Sequence, residues 1–137
     1  LKTGNCELTE LSLYENKLKD ERLKYLCEAL MNENCTLTEL DLNGNEITAK
    51  GAKYLSEALK NANCKLTNMY LNENKLKDAR VRYLCDALMN ENCKLTKLYL
   101  SQQYLTDEGV KSLKNGNCKR TKIYLNGKEL IPFQVKF

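Results

Sequence analysis

The amino-acid sequence predicts an α/β fold: a curved solenoid with parallel strands on its concave face and helices on its convex face. Three observations indicate this class. Cysteines recur at a fixed interval, a short segment with apolar residues at alternating positions follows each of them, and a segment with helical spacing comes next. One such unit cannot bury its leucines alone, whereas stacked units share a continuous core.

The repeat is marked by the dipeptide Asn-Cys. Three of its intervals are 29 residues long and the fourth is 25 residues long, between Cys6, Cys35, Cys64, Cys93 and Cys118. We therefore interpret 1–137 as one domain of about five repeats. Their bounds are 6–34, 35–63, 64–92, 93–117 and 118–137, the last including a C-terminal cap.

Each repeat predicts a strand and then a helix. In Leu11-Ser12-Leu13 the leucines face the core and the residues between and beside them face outward. Helical spacing at i, i+3, i+4 and i+7 follows in three repeats, at Leu23, Leu26, Cys27 and Leu30; at Ala52, Leu55, Ser56 and Leu59; and at Val81, Leu84, Cys85 and Leu88. The fourth helix keeps Val110 and Leu113 and is expected to stop at Asn115-Gly116.

Asparagine follows three of the strands, at Asn16, Asn45 and Asn74. The backbone leaves the sheet there, and its amides need hydrogen-bonding partners. Because a side-chain amide can both donate and accept, we expect these residues to form a structural ladder between turns. Gln103 would extend the ladder with a longer arm and distort it.

The two ends of the sequence differ. Residues 1–6 match 113–118 at all but one position, which suggests that the chain starts inside a short repeat of a longer array. An uncapped amino-terminal end could also mediate self-association. At the other end Asn126-Gly127 predicts a tight turn, and the alternating apolar residues of 130–137 are expected to cap the last repeat.

The seven cysteines raise the question of disulfides or a metal site. Their number is odd and no C-x-x-C pair exists, so the spacing of a tetrahedral zinc site is absent. Small, buried, reduced thiols at structural positions fit the repeat best: Cys6, Cys35, Cys64, Cys93 and Cys118. Reduced thiols favour a cytoplasmic location, and we predict no metal and no cofactor.

The amino-acid composition excludes several classes of function. The chain has 22 lysines and arginines, 18 aspartates and glutamates, and no histidine, which excludes histidine-dependent triads and imidazole metal ligands. No glycine-rich phosphate loop follows a strand, so we predict no enzyme and no catalytic residue. A net charge of +4 is too mild and dispersed for a nucleic-acid surface. No apolar run approaches the ~18 residues that cross a membrane.

The repeated phrase has a known likeness. Cys6-x-Leu8-Thr9-x-Leu11-x-Leu13-x-x-Asn16-x-Leu18 resembles the leucine-rich repeat. The 29-residue length and the N-C-x-L-T opening resemble its ribonuclease-inhibitor-like subclass, and 83–88 followed by 92–95 is similar to the carboxy-terminal repeats of NACHT-type innate immune receptors. This resemblance implies a horseshoe segment that binds proteins, as the ligand-sensing or regulatory repeats of a cytosolic receptor.

The outward strand positions are the candidate binding site. Tyr70, Tyr99 and Tyr124 share one position on consecutive repeats, and charge runs from acidic to basic along the stack. Tyrosine is enriched at interfaces, although a sheet face also favours it without any partner. For Tyr25, Tyr54 and Tyr83 on the helices we expect edge packing. The predicted partner-binding residues are Tyr14, Asp41, Tyr70, Asn72, Lys97, Tyr99, Lys122 and Tyr124.

Two alternatives remain open. The chain could be the scaffold of a bacterial effector or another ribonuclease-inhibitor-like binder, or a structural spacer that has no ligand. Size limits the binding hypothesis, since five strands about 4.8 Å apart and about 15 Å long give only about 350 Å². A standard interface buries about 800 Å² on each partner.

Overall fold

The computed structural model describes residues 7–101, 104–115 and 120–131. Within these residues, strands and helices alternate along the chain until two strands end it. The strands are β1 (Glu10–Ser12), β2 (Glu39–Asp41), β3 (Asn68–Leu71), β4 (Lys97–Leu100), β5 (Lys122–Leu125) and β6 (Lys128–Glu129). The helices are α1 (Asp20–Leu30), α2 (Ala49–Leu59), α3 (Asp78–Leu88) and α4 (Asp107–Asn115).

The strands form one sheet in sequence order. β1 to β5 are parallel, and each residue pairs with its equivalent in the next unit, as Glu10 does with Glu39 and Lys97 with Lys122. Each helix returns the chain to the start of the next strand, which is the connection that parallel strands require. The α/β solenoid predicted from the repeat is thus the fold of this chain.

The inward strand positions form the core. Leu40, Met69 and Leu98 pair in register across the sheet and are fully buried, together with apolar side chains of the helices such as Leu55 and Leu84. Helices are about 10 Å wide, whereas neighbouring strands lie about 4.8 Å apart. The stack therefore bends with its strands on the concave side. No helix in the described ranges has the length and apolar character needed to cross a membrane.

Buried asparagines tie successive turns together. The Asn45 Oδ1 accepts hydrogen bonds from the backbone N–H groups of Asn16 at 3.0 Å and Leu18 at 3.2 Å. The Asn74 Oδ1 likewise accepts from Asn45 and Ile47. The Asn16 side chain is exposed and, among the described residues, donates to the Tyr14 carbonyl of its own turn. Gln103 lies outside the described residues, so its predicted place in the ladder stays a prediction.

The described repeat cysteines Cys35, Cys64 and Cys93 are buried thiols outside any disulfide, and so are the helical cysteines Cys27 and Cys85. Burial raises the pKa of Cys27 to about 12 and that of Cys85 to about 11, because the apolar core disfavours the thiolate. Cys6 and Cys118 lie outside the described residues.

The residues that begin the helices follow two alternating patterns. α2 begins after Thr48, whose hydroxyl accepts from Gly51 N and donates to Asp20 Oδ1 at 2.7 Å. α4 repeats this arrangement with Thr106, Gly109 and Asp78. α1 and α3 begin instead after Lys19 and Lys77, which provide no side-chain cap, and carry these aspartates in their first turn. A carboxylate from each odd helix thus binds the threonine that starts the next helix.

The expected edge packing of the helical tyrosines is correct only in part. Tyr54 packs against the core, whereas Tyr25 is 65% exposed and Tyr83 is 40% exposed. α2 lies between two helices of 11 residues each, whereas α3 borders the shorter α4, which has 9 residues. In the described structure Tyr54 therefore has an 11-residue helix on both sides, whereas Tyr83 has an 11-residue helix on one side and a 9-residue helix on the other.

A hairpin closes the described sheet. Asn126 and Gly127 both have left-handed backbone conformations, with φ of 50° and 81°, and β6 pairs antiparallel with β5. This is the tight turn that the sequence predicts. Leu130 packs against the core, Ile131 is 62% exposed, and residues 132–137 of the predicted cap lie outside the described residues.

Candidate binding surface on the concave face

The outward positions form three columns that run across the strands. We number them by the order in which the chain meets them within each repeat. The first column is Glu10, Glu39, Asn68, Lys97 and Lys122, and the second is Ser12, Asp41, Tyr70, Tyr99 and Tyr124. The third follows the paired residues and is assigned by position in the repeat: Tyr14, Asn43, Asn72, Ser101 and Asn126. In-register pairing of the strands makes residues distant in sequence neighbours on this face.

The second column carries a tyrosine stack, consisting of Tyr70, Tyr99 and Tyr124. The ring centroids of Tyr70 and Tyr99 are 4.5 Å apart, and those of Tyr99 and Tyr124 are 4.7 Å apart. The rings are nearly parallel, with interplanar angles of 13° and 11°. Because the strand spacing is close to the stacking distance of aromatic rings, in-register tyrosines stack without distortion. The stack leaves ring edges for a partner.

Glu39 anchors one end of the tyrosine stack. Its Oε1 accepts hydrogen bonds from the Tyr70 hydroxyl and the Asn68 side-chain amide, each at 3.2 Å. Partial burial, and next the negative charge of Glu39, raises the pKa of Tyr70. The hydroxyl of Tyr70 is therefore held in its protonated, hydrogen-bond-donating form.

The basic end of the first column consists of two lysines on neighbouring strands. Lys97 and Lys122 are exposed and in register on neighbouring strands, and neither ammonium group has a hydrogen bond or ion pair to another described residue. Like charges directly opposite each other on a sheet are unfavourable. An external anion bound between them would relieve this repulsion.

The other three nominated residues are placed less favourably for binding. Both carboxylate oxygens of Asp41 accept internal hydrogen bonds, from Ser12 Oγ at 3.3 Å and Asn43 N at 2.9 Å. Asn72 is half-buried, and its backbone N–H donates to the Asn43 side chain at 2.7 Å. Tyr14 is 50% exposed, and a hydrogen bond with Glu15 raises its pKa.

Sequence reasoning placed Glu39 on the outward face but did not nominate it as a site residue. The signal that could have found it is the diagonal relation between Glu39 and Tyr70, since residues at j±2 on the neighbouring strand are within reach of long side chains. Sequence reasoning also gave no role to the threonine before each strand. The hydroxyls of Thr38, Thr67 and Thr96 each donate to the carbonyl of the preceding repeat's threonine, at 3.3, 3.2 and 3.1 Å.

The concave face carries an open, shallow depression rather than an enclosed pocket. It lies beside Tyr70 and is lined by Glu10, Ser12, Glu39 and Asp41 among others. Across the described ranges no group of three or more cysteine, aspartate or glutamate side chains is arranged to hold a metal ion. An open surface of this kind suits a macromolecular partner better than a small molecule, which needs concave enclosure.

Comparison with known families agrees with this geometry. The family model described as leucine-rich repeat matches residues 33–56, from the loop before β2 into α2. The chain folds as a leucine-rich repeat solenoid. Proteins of the leucine-rich repeat family are in general non-enzymatic scaffolds that bind other proteins, which supports an interaction module here. A comparison with curated proteins found no match.

Proposed function

We propose that this leucine-rich repeat solenoid is a protein-binding module that uses its concave face. The tyrosine stack is the observation that carries the proposal. Three aligned aromatic rings with solvent-facing edges offer rigid contact area at a low cost in side-chain entropy. Lys97 and Lys122 lie two residues before Tyr99 and Tyr124, and they add charged groups that are not engaged elsewhere in the described structure.

We further propose a finer assignment, the ligand-sensing or regulatory repeats of a cytosolic innate immune receptor of the ribonuclease-inhibitor-like subclass. The repeat length and the N-C-x-L-T opening support the subclass, and the likeness of 83–95 to NACHT-type receptors supports the role. Buried thiols that form no disulfide in the described part of the chain suit a reducing compartment such as the cytoplasm. A nucleotide-binding P-loop domain in the parent chain would favour this assignment, whereas a secretion signal would favour an effector.

The experiment compares three forms of the chain in quantitative pull-downs. The test variant replaces Tyr70, Tyr99 and Tyr124 with serine, and the control variant carries Tyr25→Ser and Tyr83→Ser on the convex face. Circular dichroism verifies that both variants are folded. We expect specific partners to be recovered at least about tenfold less with the test variant and unchanged with the control. Equal recovery of every partner by all three forms would support a structural spacer instead.

A further inference from the structure

Charge on the concave face is distributed unevenly from one end of the stack to the other. The first column starts with Glu10 and Glu39, passes through Asn68 and ends with Lys97 and Lys122. Asp41 adds a third carboxylate at the acidic end, in the second column. The tyrosine stack starts beside Asp41 and reaches the last parallel strand, so a partner that covers the stack also meets the lysines.

The acidic and basic ends differ in how many of their charged groups form hydrogen bonds or ion pairs with other described residues. Glu39 accepts from Tyr70 and Asn68, and Asp41 accepts from Ser12 and Asn43. At the acidic end this leaves Glu10 as the carboxylate without a hydrogen bond or ion pair to another described residue. At the basic end neither ammonium group has a partner among the residues that the structure describes, so the strongest attraction not met there is for an anion beside Tyr99 and Tyr124.

Shape limits what can occupy this face. The concave surface is about 19 Å across the five parallel strands, and it cannot be filled by the concave face of a second copy. A single peptide segment fits, because an extended chain or one helix is about 10 Å wide with its side chains. The separation between Glu10 and the two lysines is three to four strand spacings, about 14–19 Å. That distance corresponds to about four to six residues of extended chain or nine to thirteen of helix.

We propose that the concave face binds a bipolar peptide segment of a partner protein, lying across the strands with its acidic residues between Lys97 and Lys122 and a basic residue at Glu10. This inference rests on the proposed function and adds the partner's charge pattern and its direction. The ring edges of the tyrosine stack carry partial positive charge. They accordingly favour carboxylates, carbonyls and aromatic faces in the middle of the segment.

The test is selection from a random 16-residue phage-displayed peptide library on the whole chain. We expect the wild-type pool to be enriched in aspartate or glutamate at one end and in lysine or arginine at the stated separation. Selection on a Lys97→Glu/Lys122→Glu variant should lose the acidic enrichment, and Glu10→Lys should lose the basic enrichment alone. Exposed residues on α1 and α2 provide the matched control, Lys24→Glu/Lys53→Glu, which should select the wild-type pattern.

Binding of the most enriched peptide then separates this inference from the proposed function. We expect at least about tenfold weaker binding to Lys97→Glu/Lys122→Glu, less than twofold change with the control, and weaker binding in 0.5 M salt because the charges are screened. A pool that needs the tyrosine stack but shows no charge pattern would overturn the inference and leave the proposed function intact. Peptides bound equally by the tyrosine variant, or no enrichment above an unrelated protein, would overturn both.

Discussion

Asn45 and Asn74 form hydrogen bonds between turns that Asn16, at the equivalent position of its repeat, does not form within the described residues. Both are 1% exposed and use their side chains as donor and acceptor across the gap between turns. Asn16 occupies the same sequence position but is exposed and bonds within its own turn. Each buried asparagine joins its turn to the preceding one. Its contribution to stability therefore depends on the backbone groups that the preceding turn offers.

Replacing Asn74 with alanine should lower the free energy of unfolding by about 2–4 kcal/mol. The change removes the acceptor for the N–H groups of Asn45 and Ile47 and the donor to Leu42 O, all buried. Urea denaturation followed by circular dichroism measures the effect. Asn16→Ala is the control, with an expected change within about 0.5 kcal/mol. Similar losses for both variants would show that the ladder does not act through buried hydrogen bonds.

The residues that begin α2 and α4 likewise depend on their neighbours in the preceding repeat. Gly51 is required because a Cβ there would lie 2.8 Å from Leu23 Cδ2 and 2.9 Å from Ile47 Cγ2, and a Cβ at Gly109 would collide with the Asp78 carboxylate. Glycine in a helix ordinarily costs about 0.5–1 kcal/mol relative to alanine. Here it gives the preceding helix room to approach. The alternation of aspartate with threonine and glycine therefore makes two repeats, rather than one, the structural unit.

Replacing Thr106 with valine should raise the pKa of Asp78. The hydrogen bond from the Thr106 side chain is the largest of the influences that lower this pKa below its ordinary value of 3.8, and the Thr106 backbone N–H is the next. Because the pKa is lower in the folded state, the carboxylate contributes stability above pH 3.8 that is lost as pH falls through the folded value. The valine variant should therefore lose less stability than wild type between neutral and acidic pH.

Carbon-13 titration of the Asp78 carboxyl group measures the shift directly. Ser112→Ala on the same helix is the control, since its hydroxyl donates to the Glu108 carbonyl and not to Asp78. An Asp78 pKa that is unchanged in Thr106→Val would mean that the hydroxyl does not hold this carboxylate in solution.

Across the whole molecule, the described cysteines act as small apolar residues of one continuous core. Cys35, Cys64 and Cys93 occupy equivalent positions, each about 2% exposed, and burial also raises the pKa of Cys64. The raised pKa values imply stability that is fully present below pH 9 and lost as pH rises towards the folded values of about 12 for Cys27 and about 11 for Cys85.

In a Cys6→Ser/Cys118→Ser variant, the five remaining thiols should not react with a disulfide reagent at pH 8 while the chain is folded. Thiolate is the reactive form, and burial suppresses both its formation and access to it. All five should react after unfolding in urea, which calibrates the absorbance change. Rapid reaction of one thiol in the native chain would show that the core opens at that repeat.

The sequence by itself determined the repeat, the alternation of inward leucines with outward polar residues, the turn at Asn126-Gly127 and the alignment of the three tyrosines. These features follow from periodicity and from backbone preferences that each residue carries locally. Only the tertiary structure decided that Glu39 holds Tyr70, that Asp41 is satisfied internally, and that Tyr25 is exposed while Tyr54 is packed. Apart from the Asn43–Asp41 hydrogen bond, which is local, these contacts join residues about one repeat apart in sequence. Their formation depends on how closely neighbouring strands and helices approach, which no local pattern specifies.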